Sequence, residues 1–243
     1  MILLASTAAA VPGPLVFKAT QPGHQTLDEG EGGGNPFASA LIEALASQPD
    51  LGHLAARVRE LTRRFSEGFQ DADVPASMEP GDLPLAGRPD GTKKTALVLV
   101  YSNYLPATGL VSLAGAARDA HRVSEALTRA GFETTTLIDP PRADLPRLLA
   151  DFSRRSAGSS LAMICTTGHG VEVSGVGYLL PNDFPVWGGS PALDRQAVRL
   201  DTLAGTLRAG RANLFFYGGC RDNPLGWTLA MPAHTPRNRP TNP

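Results

Sequence analysis

The chain has 243 residues, 42% of them apolar and 19% charged, and its 22 Lys and Arg against 23 Asp and Glu leave a net charge of −1. That balance excludes a bulk electrostatic grip on nucleic acid or on an anionic membrane, and no stretch reaches the ~18–20 apolar residues of a membrane span. The two cysteines, Cys165 and Cys220, cannot make a disulfide framework, so the expectation is a cytoplasmic chain with reduced thiols, one of them reactive.

Residues 1–10 (MILLASTAAA) are apolar, but no Lys or Arg precedes Lys18. They read as a buried lead into a strand rather than a secretory signal. Residues 15–20 (LVFKAT) predict a short strand, and the polar, glycine-dense stretch over 21–34 a flexible loop. Asn35 and Pro36 offer a cap and a first-turn proline. They open a helix over 37–46, with Phe37, Leu41, Ile42 and Leu45 on one face. Leu54, Val58, Leu61 and Phe65 predict a second helix over 51–69. Residues 71–92, with Pro75, Pro80, Pro84, Pro89 and several glycines, have a linker's composition.

Beyond the linker, strands alternate with helices. Apolar, β-branched runs predict buried strands over 95–101, 132–138, 160–166 and 213–217, with a short strand over 177–180. Amphipathic spacing predicts helices over 113–130, 144–153 and 201–208, the last capped by Asp201. The Pro-, Asn- and Thr-rich tail after Trp227 reads as disordered. The pattern implies an α/β fold: a mainly parallel sheet with right-handed crossovers and helices on both faces. Ligands of such sheets sit beyond the carboxyl ends of the strands.

Two strand ends place reactive residues in glycine-rich turns. Thr167-Gly168-His169-Gly170 follows one strand and Gly218-Gly219-Cys220-Arg221 another. An imidazole can take the proton of a thiol, and the thiolate is the nucleophile. Backbone N–H groups of Gly170 and Cys220 are in the neighbourhood to receive an oxyanion. A histidine and a cysteine in turns are equally compatible with purely structural roles. The remaining histidines, His24, His53, His121 and His234, have no metal-ligand spacing.

Four segments together carry a resemblance: ALVLVYSNY (96–104), LAGAARDAHRVSEALTRAGFE (113–133), GHGVEVSGVGYLLPND (168–183) and GCRDNP (219–224). Residues 93–227 resemble the large-subunit region of caspase-like cysteine peptidases, the bacterial relatives of caspases and metacaspases. The resemblance implies His169 as general base, Cys220 as nucleophile, and an oxyanion hole from the N–H groups of Gly170 and Cys220. It implies no cofactor and no metal. Three positions depart from the family's common pattern: Gly218-Gly219 stand where Asp-Ala precedes the cysteine, Thr166 stands at an aromatic position, and Arg118 stands where Asn often precedes Asp119.

LVFKATQPGHQTLDEGEGGGNPFASALIEAL (15–45) resembles the small-subunit region of the same family, which ordinarily follows the catalytic cysteine; Gln70 and Pro75 fall at its usual close. The expected organisation is a small-subunit-like segment over 1–75, a linker over 76–92, a large-subunit-like catalytic segment over 93–227 and a tail over 228–243. This swapped order is that of a circular permutant, of pieces from a longer array, or of a strand swap between chains; the first is favoured. Asp28 and Asp119 are the substrate-pocket candidates, favouring a basic residue before the scissile bond. The expected activity is cysteine endopeptidase, with an inactive caspase-like interaction module as the alternative. The expected partner is a protein or peptide substrate, with no nucleic acid and no membrane, and a homodimer is left open.

Overall fold

The computed structural model describes residues 11–47, 50–79, 81–86 and 92–227. The apolar opening segment, the tail after Trp227 and part of the expected linker lie outside the described residues. Five parallel strands make the central sheet: β1 (Pro14–Lys18), β2 (Lys94–Val100), β3 (Glu133–Ile138), β4 (Leu161–Thr167) and β8 (Ala212–Tyr217). Their spatial order is β1-β8-β4-β2-β3. A small antiparallel sheet of β5 (Gly170–Val173), β6 (Val176–Leu179) and β7 (Val198–Arg199) stands beside it.

The period-2 alternation of the strands builds two cores. Val98, Val100, Met163, Cys165, Leu214 and Phe216 face α1 (Pro36–Ala46), α2 (Leu51–Phe65) and α3 (Ala114–Arg129). Leu97, Leu99, Ile164, Phe215 and Tyr217 face α4 (Leu145–Ala157) and α6 (Leu200–Ala204). Helices on both faces explain why β2 and β8 are buried at every position. The expected α/β architecture is the observed one.

The N-terminal strand lies in the chain's own sheet. β1 pairs in parallel with β8, from Pro14 opposite Asn213 to Lys18 opposite Tyr217. Phe17 stacks on Phe216 with ring centroids 4.3 Å apart. Asn35 caps α1 by accepting from the N–H groups of Phe37 and Ala38, and Pro36 starts the helix, as its sequence predicts.

Other expectations differ from what is observed. The second helix stops at Phe65 rather than at residue 69, because Glu67 and Gly68 take positive φ and Gly68 N–H turns back to the Arg63 carbonyl at 2.7 Å. The helix expected over 201–208 is the short α6; Asp201 lies within it and pairs with Arg199. α5 (Ser190–Gln196) and the strand β5 have no sequence signal strong enough to predict them. The glycine loop is pinned rather than free: Glu31 N–H bonds Phe65 O at 2.9 Å, and Arg122 Nη2 bonds Gly32 O at 2.7 Å. The linker composition conceals anchors. Met78, Leu83 and Leu85 are buried in the core of α1–α3, and Lys18 and Asp73 exchange backbone hydrogen bonds of 2.8 and 2.9 Å. No helix among the described residues is long and apolar enough to cross a membrane.

Candidate active site

β4 and β8 are sheet neighbours, so the turns that follow them lie side by side. His169 and Cys220 line one cleft of about 170 Å³, whose floor between α1 and α3 is apolar, including Phe37, Val98, Val123 and Phe216. Both residues are half-buried.

His169 is held at backbone and ring. Its N–H donates to Tyr104 Oη at 2.8 Å, and that hydroxyl donates to Leu180 O at 2.9 Å. Leu180 N–H returns to His169 O at 2.8 Å. The Tyr104 hydroxyl is therefore inserted where a rung between β5 and β6 would otherwise close. Burial pushes the Tyr104 phenol up, which keeps it a donor. Its ring meets the imidazole edge-on at 4.7 Å. Nε2 of His169 lies 2.7 Å from Val111 O. A carbonyl only accepts, so Nε2 carries a hydrogen, and in the neutral ring the lone pair is then on Nδ1.

Cys220 is held from above and below. Its sulfur lies 3.4 Å from Thr26 N and 3.5 Å from Thr26 Oγ1. Its carbonyl accepts from Tyr217 Oη at 3.1 Å. That hydroxyl fills the space where a Cβ on Gly219 would sit (2.5 Å away) or one on Gly170 (1.6 Å away). The glycine at 219 thus follows from the Tyr217 ring together with the Gly168 carbonyl oxygen, 2.7 Å from the same Cβ position.

Arg221 is buried, and its guanidinium joins three segments: Nε bonds Glu172 Oε2 at 2.7 Å, and Nη1 bonds Thr20 O at 2.9 Å and Asp73 Oδ2 at 2.7 Å. Its backbone exchanges hydrogen bonds with the N-terminal loop, Gly23 N–H to Arg221 O at 3.1 Å and Arg221 N–H to His24 O at 2.9 Å.

The two pocket candidates lie in the same cleft but differ in availability. Asp119 is buried, and its oxygens are committed to Asn35 N–H and Arg122 Nη1, both at 2.7 Å; it ties α3 to the start of α1. Asp28 is exposed. Cys165 lies in β4 on the cleft floor, and burial pushes its thiol well up, as expected of an inert core cysteine.

Sequence reasoning does not reach Thr26, Tyr104, Val111 or Tyr217. Val111 acts through a carbonyl, which any residue carries. For Tyr217 a signal exists: paired glycines directly after an aromatic residue that ends a buried strand.

The caspase-domain family model matches residues 93–240. The chain belongs to the caspase-domain family. Among solved structures, this caspase-domain chain is similar to caspase-1 from Spodoptera frugiperda, at 16% identity and a TM-score of 0.40, over 52% of this chain and 46% of that one. The chain thus spans less than half of that caspase's length. No curated protein matches.

Proposed function

We propose that the chain is a cysteine endopeptidase working through a His169–Cys220 dyad. The observation that carries this reading is the shared cleft at two adjacent strand ends, with Val111 fixing the imidazole tautomer. Nδ1 of His169 takes the Cys220 proton, and the sulfur attacks the scissile carbonyl. The tetrahedral oxyanion is received by the N–H groups of Gly170 and Cys220. In support, Gly170 shares an edge of β5 with Glu172, whose N–H reaches Asp222 O at 3.2 Å, so the Gly170 N–H is directed toward the cysteine loop. His169 then protonates the departing amine, and water hydrolyses the thioester.

The substrate is a peptide or protein, with a basic residue favoured before the cut. Asp28 is the exposed carboxylate on the cleft, whereas Asp119 is already paired with Arg122. The metacaspase-type relation belongs to this proposal, and so does the chain order. The pairing of β1 with β8 inside one chain favours a circular permutant, with the segment over 1–75 completing the segment over 93–227 and residues 76–92 joining them. A second reading, an inactive interaction module, draws on Gly218 in the place of an acidic residue and on a sulfur bonded to Thr26 rather than to His169.

Peptide electrophiles that end in Arg or in Asp separate these readings when offered to the wild type and to Cys220→Ala. Faster labelling by the Arg probe, lost in Cys220→Ala and matched by turnover of the corresponding fluorogenic peptide, is expected. A folded wild type that neither labels nor cleaves refutes the peptidase.

A further inference from the structure

The N-terminal loop brings donors to the nucleophile. Thr26 N–H lies 3.4 Å from Cys220 Sγ, and an amide can only donate, so the sulfur accepts. The Thr26 hydroxyl, 3.5 Å away, can also donate. Donors strengthen when the acceptor becomes an anion. The placement is over-determined. Leu27 N–H bonds Gln70 Oε1 at 3.0 Å, and Leu27 O accepts from Asn35 Nδ2 at 2.7 Å. Gln25 Nε2 bonds Asp222 Oδ2 at 2.8 Å.

The charged groups nearby are otherwise engaged or stand off the sulfur. Arg221 is taken by Glu172 and Asp73, with Lys18 3.8 Å from the same glutamate. Asp119 is taken by Arg122 and Asp222 by Gln25, while Asp28 lies on the exposed wall. Tyr217 bonds the Cys220 carbonyl, and the His169 ring bonds Val111.

We propose that Thr26 is a catalytic residue, its N–H and hydroxyl holding the Cys220 sulfur as an anion, so that the N-terminal segment supplies part of the nucleophile's activation. This rests on the cysteine-nucleophile reading above. When the S–H bond breaks, the proton passes to His169 Nδ1 and the electron pair stays on sulfur. Thr26 keeps its own hydrogens throughout. The S–C bond then forms at the substrate carbonyl or at a haloacetamide carbon, which in the second case expels iodide.

The test is the rate of Cys220 alkylation by iodoacetamide in the full chain, with the label mapped to that residue, for wild type, Thr26→Val and Thr26→Ser. At pH 7, Thr26→Val is expected to react about 3–10-fold more slowly, the effect of one hydrogen bond of ordinary strength across the long 3.5 Å contact, and Thr26→Ser about as fast as wild type. At pH 9.5 the deficit is expected to shrink or reverse, because alkali forms the thiolate in both proteins and the less stabilised thiolate is the better nucleophile. Equal rates at pH 7, or the same deficit at both pH values, overturn the proposal. If Thr26→Val does not fold, Thr26→Ala is read in its place. A wild type that alkylates at Cys220 yet cleaves no peptide refutes the peptidase while leaving the Thr26 comparison to be judged by its own rates.

Discussion

Replacing Gly219 with Ala adds one methyl against the ring that supports the nucleophile. An ideal Cβ there would lie 2.5 Å from Tyr217 Oη, 2.7 Å from Tyr217 Cζ and 2.7 Å from Gly168 O. The ring cannot swing away, because Tyr217 is only 1% exposed and its hydroxyl bonds Cys220 O. Overpacking typically costs about 1–3 kcal/mol, and three simultaneous contacts place Gly219→Ala near the upper figure. At roughly 2–4 °C per kcal/mol, the melting temperature should fall by about 6–12 °C. Tyr217→Leu removes Oη and Cζ, two of the three contacts, at a cavity cost of its own. In that background Gly219→Ala should cost only about 1 kcal/mol, the remainder coming from Gly168 O. Thermal unfolding of the four proteins therefore yields an interaction of about 2 kcal/mol in favour of the double variant. Additivity within ~0.5 kcal/mol would refute the claim that the Tyr217 ring contributes most of the demand for glycine at position 219.

Cys220→Ala and His169→Ala should each abolish peptide turnover, with the double variant little worse than either single one, because base and nucleophile act as a unit. Cys165→Ala should retain turnover, since that thiol is buried and its ionisation is pushed up; cleavage surviving in Cys220→Ala sinks the assignment. Asp28→Asn should raise KM several-fold for peptides ending in Arg and leave peptides ending in Asp no worse, read from initial rates; an unchanged Arg KM removes Asp28 from the pocket. Arg221→Met removes the nearer cation from the Glu172 carboxylate, which is only 10% exposed, and leaves it Lys18 at 3.8 Å; the loss should be about 3 kcal/mol by denaturant unfolding, the low end for breaking a buried ion pair. Adding Glu172→Gln should recover part of that loss, and no recovery would mean that packing rather than charge sets the cost.

The parts legible in the sequence are those where one physical demand acts on consecutive residues. A strand covered on both faces must be apolar throughout, so ALVLV, LAMIC and NLFFY announce β2, β4 and β8. Asn35-Pro36 fixes the start of α1 because cap and proline act within one turn. Composition misleads between residues 71 and 92, where prolines and glycines dominate but Met78, Leu83 and Leu85 carry the packing. The site divides along the same line. His169 and Cys220 are visible because each terminates a legible strand in a glycine turn. Their partners are not: Tyr104 lies 65 residues from His169, Val111 lies 58 from it, and Thr26 lies 194 from Cys220. None of these separations leaves a periodic trace, and all three contacts run through a backbone N–H or C=O group common to nearly every residue. Only the sheet order brings them together: β1 beside β8 carries the loop of Thr26 to the cysteine, and β4 beside β2 carries Tyr104 and Val111 to the histidine. The reactive side chains are thus written locally, while the groups that orient them are set by topology. A change that shifts β1 along β8 should therefore disturb the cysteine while leaving the His169–Val111 contact in place.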